Sequence, residues 1–221
     1  MTRFSCIGAL TLCLVLTGSA IAEPPSNGYI GVFGDADGTN CCITLNKSGN
    51  GKLWVYAVSG GASADGIQGA EFKITVEPPA PAASFNWTPA KGTNVSVGNP
   101  IDNGDGGGAL VTFNDCQGGL VGDKILLGTI QAFNLDGEHR LVVRKHDAPL
   151  NATFQCPSVL MCDGPTFTQV CLTYKDGDPA LGGEEPIAFV SAVNSADCAG
   201  TSCGFVSTED ETWSTVKALF R

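Results

Sequence analysis

Residues 70–76 alternate, with Phe72, Ile74 and Val76 apolar and Glu71, Lys73 and Thr75 polar. That period of two gives a strand one buried and one wet face. Residues 53–58 and 125–133 are nearly continuous apolar runs bounded by Gly and Asp. Rich in β-branched and aromatic residues, they are too short for helices and suit buried strands. The stretch 52–133 therefore predicts the core of a sandwich, and shorter runs predict strands at 29–33, 42–45, 94–97, 109–113, 139–146, 167–174 and 187–193. Within 52–58, Trp54 and Tyr56 fall on one face and Leu53, Val55 and Ala57 on the other. Pro78, Pro79 and Pro81 interrupt any ladder and predict an extended surface link. Helical spacing enters at the end of the chain. Ser207 and Thr208 can cap, Glu209, Asp210 and Glu211 suit a helix N-terminus, and Trp213, Val216 and Phe220 recur on one face. These imply one amphipathic helix of about 13 residues, docked against an edge of the sandwich or serving as a sorting tag. The fold class is all-β: a disulfide-stapled β-sandwich, Ig-like or jelly-roll, with one C-terminal amphipathic helix.

Composition adds a compartment. Arg3, the apolar run 6–17 and the small-x-small end Ala20-Ile21-Ala22 read as a signal peptide over residues 1–22. A sandwich domain at 23–195 and a cysteine loop and helix at 196–221 follow it. No later apolar run reaches the length of a membrane span. The formal net charge of −10 becomes −11 once Arg3 leaves with the leader, which disfavours nucleic acid and anionic membrane as partners. The leader removes Cys6 and Cys13, leaving Cys41, Cys42, Cys116, Cys156, Cys162, Cys171, Cys198 and Cys203. An even set in an exported chain predicts disulfides, with the connectivity open. Zinc is disfavoured, because there is no Cys-x-x-Cys pair and neither His139 nor His146 lies at ligand spacing from a cysteine. Cys41 and Cys42, adjacent in a strand, would point to opposite faces and take different partners.

Candidate chemistry is sparse. The segment Gly34-Asp35-Ala36-Asp37-Gly38 resembles the opening of a calcium loop, but its glycine is misplaced for an EF-hand and no helices flank it. Asp35 and Asp37, and more weakly Asp102 and Asp105 in the glycine-rich turn, are the calcium candidates; otherwise no cofactor is expected. Trp54, Tyr56 and Trp87 are candidates for a sugar-stacking platform, with core packing the commoner use of such residues. His139 and His146 read as surface residues. Asp176, Asp178, Glu184 and Glu185 could supply the carboxylate pair of a glycosidase, although any acidic loop does so. Neither Gly-x-Ser-x-Gly nor His-Glu-x-x-His occurs. Asn46, Asn86, Asn94 and Asn151 stand in glycosylation sequons, which have meaning only in a eukaryotic secretory route.

Three segments carry a resemblance: Val55-Tyr56-Ala57-Val58, Gly66 to Val76, and Gly122 to Ile130. Together they resemble the strand plan of cohesin-type modules, which implies a jelly-roll sandwich of a secreted or surface-bound bacterial protein that binds protein partners. The eight cysteines and the C-terminal extension depart from that family, and no partner-binding residue carries over. The ending from Trp213 to Arg221 resembles those of uncharacterised exported bacterial proteins. The function expected is a non-enzymatic extracellular, cell-surface or periplasmic module whose partner is a protein. A carbohydrate-binding module is the alternative, and a secreted hydrolase stands third.

Overall fold

In a computed structural model, residues 28–60, 66–120, 122–149, 156–162, 168–172 and 187–191 are described. They contain thirteen strands in two layers. The first sheet has the order β1-β3-β9-β5, from Gly28–Phe33, Gly51–Ser59, Lys124–Phe133 and Ser84–Pro89. All its neighbours are antiparallel, and a bulge near Leu127 and Gly128 lets both Ile130 and Leu127 reach the interior.

The second sheet is built around β4, Ile67–Glu77. On one side β4 pairs β8 (Gly108–Gln117), which pairs β6 (Thr93–Asn99), and it takes the two-residue β7 (Ile101–Asp102) in parallel. On its other side the N-terminal half pairs β11 (Ser158–Met161), which leads to β12 (Gln169–Cys171). The C-terminal half pairs β10 (Glu138–Arg144), followed by β13 (Ile187–Ser191) and β2 (Cys42–Thr44).

Alternation explains the core between the layers. Ile30, Leu53, Val55 and Ile130 meet Phe72, Ile74, Val76, Val111 and Leu141, all fully or almost fully buried. The outer face of β4 is less wet than its polar residues predict: Glu71 is 4% exposed and the Lys73 side chain 13%. β8, β10 and β11 flank it there. Three strands fall where none was expected, at β5, β7 and β11. The prolines after β4 stay out of the ladder as expected, but the link is not extended: it begins with a cis bond between Glu77 and Pro78 and turns where the Ala83 N–H meets the Ala80 carbonyl at 2.9 Å.

Cys116–Cys162 joins the end of β8 to the end of β11, and Cys156–Cys171 ties β11 to β12. Gly66 makes room for the first bridge. Its φ is +96°, and a Cβ there would lie 2.5 Å from the Cys116 sulfur, so a side chain would meet both backbone strain and a clash. Cys41 and Cys42 are also disulfide-bonded. Cys198, Cys203, the acidic segment 176–185, and the residues expected to form a signal peptide (1–22) and a helix bearing Trp213, Val216 and Phe220 lie outside the described residues.

Candidate functional site

The densest polar cluster gathers on the outer face of β4. Lys73 reaches Asp102 at 3.0 Å and Asp147 at 2.6 Å. The Asp102 carboxylate also accepts the N–H groups of Gly104 and Gly106, each at 3.0 Å, and Asp147 accepts that of Gly107 at 2.8 Å. Small residues are required here, because backbone N–H groups must turn towards the carboxylates in a tight loop. Gly108 completes it: a Cβ would lie 2.2 Å from the His146 ring.

The electrostatics oppose catalysis. Burial would raise the Asp102 carboxyl, but the Lys73, Gly104 and Gly106 contacts lower it. Asp147 is lowered by the Gly107 N–H and by Lys73. For Lys73, burial alone would weaken the base, but the two carboxylates leave its pKa raised. Acids made more acidic and a base made more basic move away from neutrality, the reverse of what general acid–base work needs. The cluster pins the 99–108 turn and the segment after β10 to β4.

Lysines also serve the other aspartate loop. Lys124 donates to the carbonyls of Asp37 at 3.0 Å and Gly38 at 2.8 Å. Asp35 accepts from the Thr39 N–H at 2.8 Å and its hydroxyl at 2.6 Å. Burial opposes these bonds and they prevail, lowering the Asp35 carboxyl. Thus Asp35 and Asp37 sit in the β1–β2 loop and Asp102 and Asp105 in the glycine turn. Each loop holds an ammonium. Among the described residues no three His, Cys, Asp or Glu side chains gather as a ligand set.

The aromatic candidates do not form one row. Trp54 and Tyr56 lie on the outer face of β3, where Tyr56 joins Tyr29, Phe33 and Val58 in a second buried cluster. The Tyr56 hydroxyl donates to the Ala36 carbonyl. Trp54 is half-buried with Lys52 over its ring at 5.3 Å. Trp87 belongs to the opposite face of the same sheet, edge-on to the core residue Phe72, with its indole N–H on the Ser96 hydroxyl at 3.3 Å.

The histidines are also apart. His139 is not a surface residue: it is 7% exposed, with both ring nitrogens 2.7 Å from carbonyl oxygens, those of Pro78 and Asp136. Its position two residues before Leu141 and four before Val143 places it on their inward face, a signal present in the alternation. His146 accepts the Ala148 N–H through Nδ1 at 2.9 Å. A cleft of about 420 Å³ at one end of the sandwich is lined by Lys91, Phe113, Gln117, Asp123, Lys124 and Leu126 among others. It contains no nucleophile beside a base.

A different surface stands out by exposure. Val95 is 41% and Val97 58% exposed on the outer face of β6. Register carries their rows across the sheet: Val97 beside Leu110, then Glu71, then Ser158; Val95 beside Thr112, then Gly69, then Leu160. Gly69 keeps the surface flat, since a Cβ there would meet Leu160 and Thr112 at 3.2 Å. Gln169 closes the far side, donating to Glu71 at 3.1 Å and Ser158 at 2.6 Å. Outside its pairing with β8, β6 has no further strand partner among the described residues. Sequence reading found this strand but not that it is a free edge.

No protein-family model and no curated protein matches the chain. Among solved structures it is similar to the seventh ScaB type I cohesin from Pseudobacteroides cellulosolvens, with a TM-score of 0.44 and 12% identity over 76% of this chain and 94% of that one. It is similar also to the sixth cohesin of scaffoldin B from Acetivibrio cellulolyticus, determined in complex with a Cel5 dockerin mutant. There the TM-score is 0.44 and the identity 12%, over 76% of this chain and all of that one.

Proposed function

We propose that the protein is an exported, non-enzymatic binding module that takes a protein partner on the outer face of β6 and β8. The observation that carries this is the exposure of Val95 and Val97 together, on a strand of seven residues without a charge. Natural edge strands are usually blunted by charge, proline or covering structure, so an uncharged edge with outward valines suits contact with another polypeptide. Strand addition would use its backbone groups for affinity and the Val95, Val97 and Leu110 row for selectivity.

The test compares the oxidised full chain with a Val95→Lys/Val97→Lys variant for capture of extracellular proteins from the source culture, quantified by mass spectrometry. A protein retained by the wild type and lost from the variant supports the reading; identical capture sinks it. Adsorption to polysaccharide that survives the double substitution and disappears in Trp54→Ala would favour the carbohydrate-binding alternative.

A further inference from the structure

Resting on that reading, we infer that the partner accepted by β6 is a second copy of this chain, paired antiparallel through the strand about a two-fold axis at Ser96. The strand reads Thr93-Asn94-Val95-Ser96-Val97-Gly98-Asn99. Reversed about Ser96 it matches itself in character: valine faces valine, asparagine faces glycine, threonine faces asparagine. Antiparallel strands pair residues at equal distances on either side of the axis. Val95 therefore lies opposite Val97 of the second copy, and Val97 opposite its Val95, all on the outer face where both are exposed.

A two-fold interface brings each residue near its own symmetry mates, so like charges in the strand would oppose one another. Thr93–Asn99 contains none. Beyond the strand the charges are complementary. Exposed Lys91, in the turn before the strand, is carried towards the turn that follows Asn99 in the second copy, where Asp105 is exposed. The register shifts at Asn94, near the strand's beginning, and residues 95–99 then pair β8 in continuous register, with Gly98 at a φ of +84°. Of the other sheet's two edge strands, β1 is buried along its length, and β5 is a poorer candidate because Phe85 and Trp87 turn inward to the core and the strand ends on Pro89.

The experiment is sedimentation equilibrium of the oxidised full chain, with two variants, Val95→Lys/Val97→Lys and Val95→Glu/Val97→Glu. Since both side chains are exposed, the variants should keep the wild-type urea midpoint at dilution, where the wild type is monomeric, and this is measured alongside. The wild type should approach twice the monomer mass as concentration rises, each variant should associate about tenfold more weakly or worse, and mixing the two should restore a dimer. Amide exchange across 93–99 should slow with concentration in the wild type only. A wild type monomeric at every concentration, variants that dimerise normally, or a mixture that stays monomeric overturns self-pairing. A monomeric wild type that still captures a different protein through Val97 keeps the binding reading; one that captures nothing through that face removes both.

Discussion

Lys73 shows how one residue can hold two distant segments. Its ammonium lies between two carboxylates, and with the Lys73 and Asp102 side chains each only 13% exposed, water replaces it poorly. In Lys73→Met, the carboxylates of Asp102 and Asp147 would face each other without a counter-charge. The expected loss is about 3 kcal/mol, by the usual cost of removing one partner from a largely buried pair, read as a drop in the urea midpoint. A change within experimental error would show that the pair is solvated. His139 gives a second case. Replacement by Ala removes a ring donor from between the carbonyls of Pro78 and Asp136, and should cost about 2 kcal/mol. The two roles were not equally legible in the sequence. The inward face of His139 follows from its parity with Leu141, although its charged neighbours suggest the surface. The partnership of Lys73 with Asp147 spans 74 residues, and no local pattern encodes it. Asp102 was visible as an acidic turn residue, but whether such a group meets a metal ion or a lysine is decided by tertiary placement.

At the level of elements, hydrophobic alternation was sufficient for the strands that contribute most to the core. β3, β4, β8, β9 and β10 each bury three or more apolar side chains, and each was readable. β5 was not: after the prolines, only Phe85 and Trp87 interrupt polar residues. β7 has two residues, and β11 is a four-residue run between cysteines that read as connection. The disulfides compensate for this weakness. Cys116–Cys162 closes 46 residues and Cys156–Cys171 closes 15. Restriction of the unfolded chain predicts losses of about 4 and about 3 kcal/mol when each pair is replaced by serine. Denaturant titration of the two double variants checks the order. If removing the shorter loop proves costlier, native packing of β11 and β12, rather than chain entropy, dominates. Peptide mapping under non-reducing conditions should recover both bridges.

For the whole molecule, the same ionic contacts set the response to metal and to pH. Both loops open to a calcium reading already hold a lysine ammonium against their oxygens, so a chelator should leave the melting temperature of the full chain unchanged; a clear fall would place a cation elsewhere in the chain. The pH response is more informative because its two limbs have different origins. Asp35, Asp102 and Asp147 are lowered from 3.8, so their contribution is complete above the ordinary carboxylate range and drains as pH falls through the depressed folded values. Lys73 is raised from 10.5, and its contribution is complete below that value and lost as pH rises through the higher folded one. Tyr56 is raised from 10.0, first by burial and then by the charges of Asp37 and Asp35, so the fold resists phenolate formation and loses stability above pH 10. Unfolding free energy should therefore have a broad plateau between these limbs. Lys73→Met separates local from global causes. With its cation gone, Asp102 and Asp147 lose the counter-charge they share, and the acid limb should become shallower while the remaining alkaline loss traces Tyr56. An acid limb of unchanged steepness in that variant would assign acid sensitivity to the rest of a chain with 22 acidic and 12 basic residues, not to the cluster on β4.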